Sequence, residues 1–164
     1  MNDTILELDS LGSLAEGVRL ECKLAQGRHG QGQLPRDFWP TYSAFANTQG
    51  GVVLLGVREH EGRFSVAGIP EPERLRRELL DGLGNPARVS VNLLGEEDLQ
   101  EVRIAGKILL RVRVPEAPTA LKPVYLNGDV LNNTYRRIDS SDMRLTPDEV
   151  RTWLAASSEG RSHA

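Results

Sequence analysis

A single cysteine, Cys22, stands in 164 residues, so no internal disulfide can form and no thiolate-rich metal site can be built. A reducing compartment fits that usage. Long apolar runs are missing too: "VVLLGV" and "ILL" fall far short of the roughly 18 residues that a membrane-spanning helix needs. The N-terminus "MNDTILELDS" lacks the basic, then apolar, order of a secretory signal. A cytoplasmic protein with no membrane partner is expected. Histidines number three, His29, His60 and His163, and show neither zinc spacing nor a Ser/His/Asp arrangement. Positive charge is not in excess, because 20 Lys and Arg face 23 Asp and Glu for a net charge of −3. Any polyanion contact must therefore come from a local patch. The Gly- and Gln-rich "QGRHGQGQL" has no periodicity and lacks the Gly-Lys-Ser/Thr ending of a P-loop, so it reads as a surface loop.

What is present suits one domain, since 164 residues with 39% apolar content can enclose a single core. The expected division is a lead segment over 1–15, a domain over 16–156 and a disordered tail over 157–164. "EGVRLECKLA" alternates, with Val18, Leu20, Cys22 and Leu24 opposite Arg19, Glu21 and Lys23, which predicts a half-buried strand. Phe38, Tyr42 and Phe45 recur at helical spacing and predict a helix from about Pro35 to Asn47, either kinked at Pro40 or regular only from there. "GVVLLGV" predicts a buried strand and "RFSVAGI" a partner returning as a hairpin. "PEPERLRRELLDGLG" predicts a second helix with Leu75, Leu79, Leu80 and Leu83 on one face. "ARVSVNLL" and "LQEVRIAGKILLRVRV" read as strands, the latter a hairpin turning at Ala105-Gly106. Another hairpin is expected about Asn127-Gly128. Thr146, Pro147 and Glu149 form a capping box that opens a last helix. This order predicts an α+β fold with a mixed, largely antiparallel sheet and about three helices.

Chemistry has few places to sit. In "AFANTQGG" before "VVLLGV", Asn47, Thr48, Gly50 and Gly51 form either a tight helix-to-strand turn or a loop whose amides meet a phosphate. Glu21 and Lys23 share one strand face about 7 Å apart. They are either a surface ion pair or, with Glu16 and Glu59, oxygen ligands and an ammonium suited to Mg or Mn. Arg111 and Arg113 share the polar face of one predicted strand, and Arg136 and Arg137 form another basic pair. Trp39, Tyr42, Tyr125 and Trp153 lie in amphipathic runs expected to pack in the core. Tyr135, directly before Arg136, joins an aromatic to basic charge as single-stranded nucleic acid requires.

The stretches "LECKLAQG", "LPRDFWPTYSAFANTQGGVVLLGV", "VAGI", "KPVYL" and "TYRRIDSSDMRLTPDEV" together resemble the Schlafen-type, AlbA-like domain described as DNA-binding in bacteria. The resemblance spans Glu16 to Trp153. It implies a Schlafen/AlbA-like α+β fold and a cytoplasmic transcriptional regulator or DNA-binding protein. Longer relatives add an ATPase and a winged helix; ATP binding is not expected to carry over, and the chain reads as either a fragment or a stand-alone form. Animal Schlafen proteins cleave transfer and ribosomal RNA with three acids and a metal. Their Glu, four residues, then Glu-Phe-Lys is similar to Glu16 through Glu21-Cys22-Lys23, with Glu59, after Arg58, near the third acid. Three functions follow as expectations. The first is a DNA- or RNA-binding homo-oligomer using Arg111, Arg113, Lys122, Tyr135, Arg136 and Arg137. The second is a Mg- or Mn-dependent endoribonuclease using Glu16, Glu21, Lys23 and Glu59. The third is a protein-interaction or dimerisation domain.

Overall fold

The computed structural model describes residues 19–25, 32–61 and 63–162, with side chains to 157. The predicted lead segment, Glu16, His29 and most of the Gly- and Gln-rich loop lie outside these residues. In chain order the elements are β1 (Leu20–Lys23), α1 (Phe38–Asn47), β2 (Gly51–Leu55), β3 (Val57–His60), β4 (Arg63–Val66), α2 (Pro72–Leu83), β5 (Leu99–Ile104), β6 (Lys107–Val114), β7 (Tyr135–Ile138), β8 (Ser141–Arg144) and α3 (Pro147–Ser162). The central sheet runs β1-β2-β6-β5, and β3–β4 and β7–β8 form separate two-stranded ribbons. β1 pairs parallel to β2, as a connection through α1 demands, whereas β2–β6 and β5–β6 are antiparallel. Among the described residues the chain adopts the expected α+β fold, with a mixed, mostly antiparallel sheet and three α-helices.

Strand alternation decides which residues meet the helices. Val53, Leu55, Leu99, Leu110, Val112 and Val114 join Phe38, Tyr42 and Phe45 of α1 and Leu75, Leu79 and Leu83 of α2 in one core cluster. Full burial of such side chains stabilises by about 1.5–3 kcal/mol each. Tyr42 also bridges polar groups: its hydroxyl donates to Val91 O at 2.7 Å and accepts from Leu93 N at 3.0 Å. Burial outweighs the hydrogen bond from Leu93 and pushes its ionisation up to about 12. A smaller cluster of Cys22, Val57, Ile104 and Leu109, with Phe64 and Val66 against it, shows the β3–β4 ribbon packed on the sheet. Arg111 and Arg113, cross-strand partners of Leu54 and Val52, remain exposed.

Several predicted elements differ in the structure. Pro40 is the third residue of α1, within the first turn, where an N–H has no intrahelical acceptor, so no kink is needed. "GVVLLGV" breaks at Gly56 (φ 98°), where a Cβ would sit 2.9 Å from Leu109 Cδ2; the break sends β3 into its own ribbon. "ARVSVNLL" forms no strand and keeps one isolated bridge, Val89 to Leu126. Nearby backbone groups bond side chains instead, Leu93 N to Tyr42 and Leu94 N to Asn92. Leu80 is exposed, off the face that buries Leu75, Leu79 and Leu83. The turn at Ala105-Gly106 is present, both residues at positive φ. Asn127 and Gly128 also turn at positive φ, but Tyr125 pairs only as a bridge, to Thr134, and the longer ladder there is β7–β8. The capping box opens α3, Thr146 N donating to Glu149 Oε1 and Glu149 N to Thr146 Oγ1. That helix runs to Ser162, into the stretch expected to be a tail.

Candidate functional site

The turn between α1 and β2 explains its own composition. Asn47 is buried; its Nδ2 donates to Val124 O and Tyr135 O at 2.9 and 2.8 Å, and its Oδ1 accepts from Val124 N at 2.7 Å. Thr48 Oγ1 donates to Ala44 O and accepts from Arg137 N, both at 2.8 Å. Both side chains tie α1 to the segments beside it. Gly50 adopts φ 72°, and a Cβ there would lie 2.7 Å from Val114 O. On Gly51 a Cβ would lie 2.8 Å from the Phe45 ring and 2.9 Å from Arg19 O. The glycines serve close backbone packing. Gln49, by contrast, is exposed at the apex.

Two clefts flank that apex. One, of about 460 Å³, is lined by Arg19, Gln49, Gly50, Gly51, Arg111, Arg113 and Glu116 among others, the Glu116 carboxylate being taken up by Lys122. Arg19 and Arg111 make no ion pair with the described residues, while Arg113, its side chain 62% exposed, reaches Asp98 at 3.1 Å. That pair is anchored at its buried acid, while the guanidinium stays open to water. Lys122, 14% exposed, is held by Glu116 at 2.6 Å. The second cleft, of about 590 Å³, is lined by Gln49, Arg136, Glu149, Thr152 and Trp153 among others. The backbone and hydroxyl of Thr146 hold the Glu149 carboxyl below its usual range, with a smaller contribution from Arg136.

The remaining two nucleic-acid candidates, Arg137 and Tyr135, pack against the core. Arg137 has a side chain 0% exposed, with Nη1 2.9 Å from Glu21 Oε1 and 2.7 Å from Asp142 Oδ1. Its Nη2 donates to Leu20 O, and its guanidinium lies 4.9 Å from the Phe45 ring centre. Tyr135 is half-buried against the main core, and its N–H donates to Ser43 Oγ. The six residues expected to bind nucleic acid thus divide. Arg111, Arg113 and Arg136 border the turn, Lys122 lies beside it through Glu116, and Arg137 and Tyr135 are structural neighbours of α1.

The candidate acids partly converge. Glu21, Lys23, Asp37 and Glu59 line a pocket of about 270 Å³. Within it Glu21 is engaged by Arg137, and buried Lys23 pairs with Asp37 at 3.1 Å. Among the described residues no group of three His, Cys, Asp or Glu is placed to hold a metal ion; Glu16 lies outside them. Glu21 and Glu59 are hard-oxygen donors of the kind Mg or Mn takes, and Arg137 already engages Glu21. Sequence reasoning missed Arg19, Asp37 and Asp142. Arg19 was legible in principle, since it continues the polar alternation of β1, whereas the acids depend on contacts across the fold.

A mixed sheet with buried α1 against it, ribbons at its margins and a basic cleft at the α1–β2 turn defines the class, an α+β domain. The chain belongs to the Schlafen, AlbA_2 family, whose model matches residues 16–146. A similar solved structure is the N-terminal domain of a RecG-related protein from Nitrosomonas europaea, with a TM-score of 0.60 and 34% identity over 87% of this chain and 92% of that one. A protein from Corynebacterium diphtheriae shares the fold at a TM-score of 0.56 and 19% identity, covering 95% of this chain and 29% of that one. Among curated proteins none matches significantly.

Proposed function

We propose that this chain is a nucleic-acid-binding domain, with DNA its first candidate, that contacts phosphates through Arg19, Arg111 and Arg113. The observation that carries this reading is the cleft these arginines line together at Gly50 and Gly51, two of them without an acidic partner among the described residues. Three guanidinium groups in one place supply local positive potential that a net charge of −3 does not. Arg136 extends the basic rim across Gln49, while Lys122 is held back by Glu116. Family membership and likeness to a protein named for its relation to a DNA helicase support the same reading. A cytoplasmic regulator acting as a homo-oligomer, which would sum several such clefts, is part of the proposal.

Fluorescence anisotropy with a labelled DNA duplex tests it across a salt series. Three phosphate contacts predict a slope of log K against log salt of about −2.7 per domain. The double variant Arg19→Glu with Arg111→Glu, at two exposed positions with no ion pair to the described residues, is expected to abolish binding while keeping the thermal transition. Unchanged affinity in that variant would defeat the proposal.

The shared pocket of Glu21, Lys23, Asp37 and Glu59 favours an endoribonuclease as the second reading. Labelled transfer RNA incubated with Mn, with chelator, and with Glu21→Gln separates it from binding alone. Cleavage by the parent chain that disappears in both controls would establish the enzyme. Failure to bind DNA or RNA at low salt would instead leave a protein-interaction domain.

A further inference from the structure

The cleft beyond Gln49 has a different chemistry from the arginine cleft, and Gln49 lines both. Among the described residues no aromatic lines the arginine cleft, so they give it charge without a surface for stacking. The second cleft supplies what the first lacks: Trp153 lines it together with Arg136 and Glu149. The two tryptophans of the chain have separate fates. Trp39 is buried, edge-on to Phe38 and Tyr42. Trp153 is half-buried on α3 and belongs to neither core cluster. An indole and a guanidinium lining one cleft supply a π-face and a cation, a combination that stacks a base and neutralises its phosphate. The Glu149 carboxylate is fixed by Thr146 and can accept from base amino groups.

We infer that the second cleft takes an unpaired nucleobase, stacked on Trp153 with Arg136 on its phosphate, while the adjoining backbone lies over Arg19, Arg111 and Arg113. This rests on the nucleic-acid reading above and adds to it a preference for single-stranded or frayed ends, because a paired base inside a duplex cannot reach an indole in a cleft. The continuity of the two clefts across Gln49 suits a polymer rather than a free nucleotide. Stacking on one aromatic is sequence-tolerant, so the preference is for strandedness and not for a particular base.

The test uses the full chain with a labelled 15-nucleotide strand and with the blunt duplex of the same sequence. Trp153→Ala is expected to weaken single-strand binding about tenfold or more and to leave duplex binding within about twofold, with Trp153→Phe restoring most of the loss. Tryptophan emission should be quenched by the single strand in the parent chain and unchanged in Trp153→Phe, where only buried Trp39 reports. If Trp153→Ala binds the single strand as the parent does, while the Arg19→Glu and Arg111→Glu pair abolishes binding to both, the base site is overturned and the phosphate cleft stands. If the arginine variant binds both ligands normally, or the parent binds neither, the underlying reading falls and takes the base site with it.

Discussion

Replacing Arg137 with Ala takes a positive charge from between Glu21 and Asp142, at 2.9 and 2.7 Å, and leaves two poorly solvated carboxylates facing each other. Removing one member of a buried ion pair costs about 3–5 kcal/mol. Glu21 and Asp142 keep side-chain exposures of 13% and 15%, and water reaching them favours the lower end, about 3 kcal/mol. The lost contact with the Phe45 ring adds to this. Against a domain stability of about 5–15 kcal/mol, such a loss moves a urea midpoint by more than 1 M for a slope of about 2 kcal/mol per M. The neighbouring variant Arg136→Ala is the internal control. Its side chain is exposed on a cleft wall, so stability should stay within about 0.5 kcal/mol while nucleic-acid affinity falls. Urea denaturation and binding measured on both variants give the answer. Arg137→Ala with unchanged stability and weakened binding would refute the reasoning, because it would assign the buried guanidinium to the ligand.

Gly50→Ala should destabilise by about 2 kcal/mol or more, since φ 72° strains an alanine and its Cβ would meet Val114 O at 2.7 Å; thermal denaturation measures the loss. Tyr42→Phe should cost about 1–3 kcal/mol, because Val91 O and Leu93 N lose a shared partner. The same phenol makes stability depend on alkaline pH. Its folded pKa is raised from 10.0 to about 12, so its contribution is full below pH 10 and is lost as pH rises towards 12. Urea midpoints across that range should fall in the parent chain more than in Tyr42→Phe.

Sequence patterns served best where a periodicity is local. Ile104 and Lys107 flank two residues at positive φ, and Ala-Gly between alternating runs announces that turn. The alternation of β6 likewise put Arg111 and Arg113 on one side, and both are exposed. Arg136 and Arg137 show the limit. Alternation places them on opposite faces of β7, but only the packing of that ribbon on α1 decides which face is inside. Asn47 and Thr48 have the composition of a ligand loop, yet their hydrogen bonds go to Val124, Tyr135 and Arg137, residues remote in sequence. The segment around Val91 to Leu94 has strand-like side chains, and its backbone partners are a distant tyrosine and a nearby asparagine. Those partners appear only after the chain has folded.

Nearly every side chain of Phe38–Asn47 is buried, Pro40 alone being intermediate, so this helix has no face that can be spared. Adding one residue within it would turn everything downstream by about 100°, carrying Asn47 away from Val124 and sending the two arginine-bordered clefts out of line with the sheet. The interval between Phe38 and Gly51 therefore works as a fixed-length gauge: amino acids within it can be exchanged at a cost, but its residue count cannot change without dismantling the surface it carries.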